Sequence, residues 1–232
     1  MNRKQNGLVF KTSGRNFIVI FSLLPFIFFA GCGGGGASSK SGGGAFEANL
    51  VSVKMSQEGS SNLDGVFASL SGSGVTGGWI ENTTGVRITG SDLQYENYLA
   101  RFQTLVSANS GSFNSGVYTL KYTDGGETRD YKSKILDWTI VPSFTAAPIF
   151  DYNEQSRNLR IAAQNLPGAK FRLEIYRSST GSLIRETSEF PSGNITEFVQ
   201  EKGTLRILLV ANVYESGSLR SKAIHVFRDR DF

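Results

Sequence analysis

Apolar side chains recur at every second position through much of the chain beyond residue 45. Phe171, Leu173 and Ile175 alternate with Arg172 and Glu174, and Tyr118, Leu120 and Tyr122 share one side of their segment. Leu136, Trp138 and Ile140 do the same around Asp137 and Thr139, and Tyr98, Ala100, Phe102 and Val106 oppose Arg101 and Gln103. A period of two places successive side chains on opposite faces, so it predicts strands with one buried face. In the second half this predicts seven strands, over 149–152, 159–163, 170–177, 183–188, 195–199, 205–214 and 219–227, with compact turns at 179–182 and 215–218. In the first half it adds strands at 50–55, 66–70 and 86–89, and assigns the Ser/Gly/Asn-rich stretches 56–65 and 71–85 to loops. Asp124-Gly125 marks a hairpin, because that turn needs positive φ. No stretch of helical period interrupts the pattern, and Pro142 and Pro148 bracket a break that predicts a boundary near 143–147. The expectation is an all-β protein of two tandem antiparallel β-sandwich domains, 46–143 and 144–232.

The pattern before residue 45 is different. Arg3, Lys4, Lys11 and Arg15 precede an apolar run from Phe17 to Ala30, broken only by Ser22 and Pro25, and Gly31-Cys32 follows. This run is shorter than the ~20 residues a spanning helix needs, and a short apolar core behind a basic start suits a removable signal. Residues 33–44 are almost wholly glycine and serine, a composition that buries no apolar surface and reads as a flexible tether. These segments also change the meaning of the charge. The chain carries 24 Lys and Arg against 20 Asp and Glu, a net charge of +4. The four leader cations account for all of it, so from Cys32 onward the protein is formally neutral. That balance argues against nucleic acid as a partner, which would require a clustered basic face.

Phe29-Ala30-Gly31-Cys32 resembles the lipobox of bacterial lipoproteins. The resemblance implies cleavage between Gly31 and Cys32, 1–31 as the signal peptide, a diacylglycerol on the Cys32 sulfur and a tether over 32–45. It also implies a cell-envelope location, with the outer membrane favoured by Gly33 after the cysteine, and attachment to the membrane through the N-terminal lipid. A thiol is the side chain most readily alkylated near neutral pH, and Cys32 is the chain's single cysteine, so no disulfide can form within one chain. The strand count and spacing of 146–230 resemble an immunoglobulin-like or fibronectin type III-like module, without the disulfide and central Trp of antibody domains.

Candidate chemistry is sparse. His225 is the single histidine; in a strand pattern without an acid–base partner it reads as a surface or rim residue. No catalytic set, metal cluster or cofactor motif emerges. Asp124, Glu127 and Asp130 lack the spacing of a calcium loop and read as a solvated hairpin. Apolar positions expected of a terminal membrane-barrel strand are Arg228 and Arg230, which argues against an outer-membrane barrel ending at Phe232. Trp79, in the Gly-rich stretch after Thr76, is the candidate ligand-binding residue, because an exposed loop indole can stack on a sugar or anchor a protein. The expectation is a non-catalytic interaction, adhesion or structural module with a protein or glycan partner in the envelope. The alternative is a carbohydrate- or peptidoglycan-binding lipoprotein that uses Trp79.

Overall fold

The computed structural model describes residues 45–58 and 60–232. Gly31, Cys32, the leader and nearly all of the tether lie outside the described residues. Every regular element among the described residues is a strand. The first half contributes β1 (Glu47–Gln57), β2 (Ser60–Ser71), β3 (Val75–Glu81), β4 (Gln94–Glu96), β5 (Arg101–Asn109), β6 (Gly116–Asp124) and β7 (Glu127–Leu136). The second contributes β8 (Ile149–Asn153), β9 (Asn158–Ala162), β10 (Ala169–Arg177), β11 (Leu183–Glu186), β12 (Asn194–Phe198), β13 (Thr204–Glu215), β14 (Ser218–Val226) and β15 (Arg230–Asp231).

All seven strands expected in the second half form, within a few residues of the expected ends. The first half departs in several places. Residues 56–57 and 60–65, expected as loop, belong to β1 and β2, and residues 98–100, expected as strand, form a turn with Ala100 at φ +49°, so that β5 opens at Arg101. Residues 75–81, expected as loop, form β3. Gly78 is there because the strand lies against its neighbour: a Cβ on it would stand 2.3 Å from the carbonyl oxygen of Lys121 on β6. Residues 86–89, expected as a strand, make only a single bridge, Glu81 to Arg87. Asn82 Oδ1 accepts the Thr84 and Val86 amides, and this side-chain turn takes the hydrogen bonds a ladder would use. The strand expected through Ile140 stops at Leu136, because Asp137 Oδ1 accepts both the amide and the hydroxyl of Thr139. The expected hairpin at Asp124 is present, with Gly125 and Gly126 at φ +61° and +88°.

One strand pair departs from the expected antiparallel order. β1 pairs in parallel with β14, from Ser52 opposite Ser221 to Gln57 opposite Val226. One continuous sheet therefore runs β11-β10-β13-β14-β1-β2-β5-β4 through both halves, and two three-stranded sheets, β12-β9-β8 and β3-β6-β7, accompany it. Along β1, Leu50 and Lys54 face one side and Val51, Val53 and Met55 the other, and the β14 register puts Ala223 with Lys54 and Lys222 with Val53. On the first side, one core forms from residues of the second half, including Leu159, Phe171, Ile195 and Leu209. A second core forms from residues of the first half, including Leu50, Val66, Leu120 and Trp138. The buried residues of the first of these cores all lie at or beyond Phe144, and those of the second at or before Trp138.

A third core lies on the opposite side of the long sheet and draws on both halves: Val51, Val53, Met55 and Phe67 meet Val210, Ile224 and Val226. Neither small sheet contributes a residue to it. Its burial follows from the curvature of the long sheet. Six strand spacings separate β11 from β5, which in a flat sheet would be about 29 Å. Yet Arg101 of β5 lies 3.9 Å from Glu186 of β11. Ordinary right-handed twist and coiling, accumulated over the strands, bring the two ends together, and the sheet rolls around its third core as an incomplete barrel.

His225 is corrected by this arrangement. It is 3 % exposed, because β14 is an interior strand between β13 and β1 and has no rim. Its Nδ1 is 2.8 Å from Ser56 Oγ across the parallel joint, and its ring packs edge-on against Phe144 and Phe227. Burial holds its pKa below the usual histidine value, against a small opposing pull from Glu58.

Candidate functional site

Rolling the sheet turns the polar alternation of β10 inward. Arg172 and Glu174 alternate with apolar residues and so fall opposite the expected core, yet both are buried, as are Tyr176 on the same side of β10 and Lys222 of β14. They form a linked cluster. Arg172 Nη2 donates to Glu174 Oε1 at 2.6 Å, Arg172 Nη1 to Glu186 Oε1 at 2.8 Å, and the Tyr176 hydroxyl to Glu174 Oε2 at 2.8 Å. Arg101 closes the ring from the far end of the sheet through Glu186. Burial opposes the charge on Glu174, but Arg172 and Lys222 outweigh it and hold the carboxyl below its ordinary value. For Glu186 burial prevails, and its pKa is raised. Burial and the adjacent Glu174 carboxylate push Tyr176 well above the usual phenol range, so it stays a donor.

Lys222 is the exception in this network. Among the described residues no carboxylate lies within ion-pair distance of its ammonium, which instead stands 3.6 Å from the centroid of the Phe67 ring. Burial first, and then the like charge of Arg172, push its pKa down to about 7, against the pull of Glu174. Arg172 Nε and Asn212 Oδ1 are also buried without a hydrogen-bond partner among the described residues. Asn212 is the cross-strand neighbour of Lys222 on β13.

These groups border an opening. The β1–β14 pairing begins at Ser52 and Ser221, so the preceding residues of β1 and the hairpin tip between β13 and β14 are free to diverge. Between them lies a pocket of about 510 Å³, whose walls include Arg101, Arg172, Lys222, Val51, Phe67 and Asn212. At its rim Arg220 and Lys134 share Glu215, at 3.7 and 3.2 Å. The lining is mainly polar and charged, with Val51 and Phe67 as apolar surface beside it, and the volume admits a small molecule. Sequence reasoning missed it. The one local signal was a run of three polar side chains, Arg172, Glu174 and Tyr176, on one side of an otherwise apolar strand.

The residues singled out from the sequence do not converge with this pocket. Trp79 is on β3, with its indole half-buried on the outer side of that sheet and not in a loop. Its Nε1 donates to Glu81, and the Arg87 guanidinium stands 5.6 Å over the ring. Asp124 and Asp130 take cations from their own hairpin, with Arg129 at 3.4 Å and Lys121 at 2.8 Å.

No protein-family model matches the chain, and no curated protein matches it. Among solved structures it is similar to the BSP domain of a biofilm-associated protein. That match has 11 % identity and a TM-score of 0.28, and covers 79 % of this chain and 29 % of the other. It is also similar to a chimeric titin Z1Z2 pair, at 17 % identity and a TM-score of 0.27, covering 80 % of this chain and 97 % of that one. A pair of titin Ig tandem domains matches at 14 % identity and a TM-score of 0.25, over the same shares. Scores this low carry no argument about function. The all-β class rests on the sheets themselves.

Proposed function

We propose that this chain is a lipid-anchored, non-catalytic adhesion or structural module of the bacterial cell envelope. The observation that carries the reading is the continuous sheet through both halves. Two domains on a simple linker move relative to one another by default. Here a parallel strand pair and a shared apolar core replace the linker, which suits a part that holds position or transmits force. The lipobox-like end of the leader supplies Cys32 as the anchor, the glycine tract supplies reach from the membrane, and Gly33 favours the outer membrane.

Palmitate labelling of cells expressing the wild type and Cys32→Ser tests the anchor. Label is expected on the wild type and absent from the variant, which should move to the soluble envelope fraction; equal labelling overturns the anchor. Deleting the gene should reduce surface attachment or envelope integrity, and normal behaviour of the deletion strain in both assays overturns the role. The second reading, glycan binding through Trp79, is favoured by the position of its indole on the outer side of a sheet. A glycan array probed with wild type and Trp79→Ala should show binding that the substitution removes, and unchanged binding rejects it.

A further inference from the structure

We infer that the mouth of the rolled sheet binds a small organic oxyanion, a carboxylate or phosphate monoester attached to an apolar or ring-shaped body. The inference is independent of the envelope reading. Five cationic side chains and one carboxylate, Glu47, border the pocket. Lys134 and Arg220 pair with Glu215, which leaves the cluster of Arg101, Arg172 and Lys222, whose compensating carboxylates Glu174 and Glu186 are engaged by Arg172 and Arg101. With every group charged, the cluster holds one cation more than its acids neutralise. That surplus falls to Lys222, which is 3 % exposed and has no carboxylate at ion-pair distance among the described residues. Arg172 Nε adds a buried N–H without an acceptor.

A buried, uncompensated ammonium is costly, and packing alone gives no reason for one at this position. Its neighbours in the register are Val53 and Asn212, so an apolar residue would continue the third core. The cost has a use if a ligand anion completes the ion pair in a low-dielectric site, where such a pair is strong and its hydrogen bonds charge-assisted. Arg172 and Lys222 supply donors to the oxyanion. Val51 and Phe67 supply the surface on which the body of the ligand lies, and the volume of about 510 Å³ accommodates a group of the size of a substituted ring.

The groups facing Lys222 are Arg172 and Glu174 from β10, Glu186 from β11, Arg101 from β5 and Phe67 from β2. Lys222, with its pKa at about 7, loses its charge through the neutral range and so sets the pH response. The test is calorimetric titration of the full-length chain with benzoate and with phenyl phosphate, and with benzamide as the neutral counterpart. Saturable binding of either anion is expected, with benzamide at least ~10-fold weaker. Affinity should fall at least ~10-fold from about pH 6 to about pH 9, as the ammonium loses its proton. Lys222→Met removes the charge while keeping an apolar stem, and should cost at least ~10-fold in anion affinity; its unfolding transition verifies that the variant is folded. The preferred anion identifies the head group. Failure of both anions to bind at millimolar concentration, equal binding of benzamide, or undiminished binding by folded Lys222→Met overturns the inference.

Discussion

Replacing Lys222 by methionine should stabilise the fold, by an amount that shrinks as pH rises. The ammonium has an ordinary pKa of 10.5 in the unfolded chain and one of about 7 in the fold. Where both states are protonated, that difference corresponds to a cost of about 5 kcal/mol at ~1.4 kcal/mol per pH unit. The folded value lies below the unfolded one, so between 7 and 10.5 the unfolded chain holds the extra proton. Wild-type stability therefore rises with pH through that window, and falls again as pH drops towards 7. Methionine removes the titration and adds apolar volume beside Val53 and Phe67. Urea unfolding of both proteins should show the variant more stable by about 5 kcal/mol near pH 6, and by about 2 kcal/mol near pH 9. The comparison cancels every other titrating group that behaves alike in the two proteins. A stability gap that does not change with pH would refute the assignment of the buried charge to Lys222, and a destabilised variant would show that its contact with Phe67 outweighs its desolvation.

Two further outcomes concern the packing of the strands. Ile224→Ala should cost about 2–5 kcal/mol, as for other large-to-small core changes. Because the third core spans both halves, the loss should appear in a single transition read by the tryptophans, both of which lie in the first half; an unchanged tryptophan transition would mean that the halves unfold independently. Gly78→Ala should cost at least about 2 kcal/mol, since its methyl would meet the Lys121 carbonyl 2.3 Å away, and an unaltered melting temperature would show that β3 can move off β6.

Local periodicity made the strands legible. Phe171, Leu173 and Ile175 had to share a buried face whatever lay opposite, and the seven strands of the second half follow from such runs. Asp124-Gly125 likewise announced its hairpin, because positive φ is a property of the turn itself. Where side chains hydrogen-bond to nearby backbone, as at Asn82 and Asp137, the same reading failed, since a local turn competes with the ladder for the same amides. His225 shows the next limit. A strand residue is rim or core according to what pairs with its strand, and the partner of β14 is β1, about 170 positions earlier in the chain.

The candidate site lay beyond local pattern altogether. In an alternating strand, Arg172 and Glu174 occupy the side opposite the core, which for a single sandwich means solvent. Only the parallel joint and the curl that carries Arg101 to Glu186 convert that side into an interior. Alone, then, the sequence determined the class of fold, most of its strands and turns, and the neutral charge of the chain from Cys32 onward. The tertiary structure decided that the two halves share a sheet, that the sheet has a second buried face, and that Lys222 stands in it without a carboxylate partner. The physical reason is that side-chain alternation is fixed over two residues, whereas strand pairing and sheet closure are settled by contacts between residues far apart in the chain.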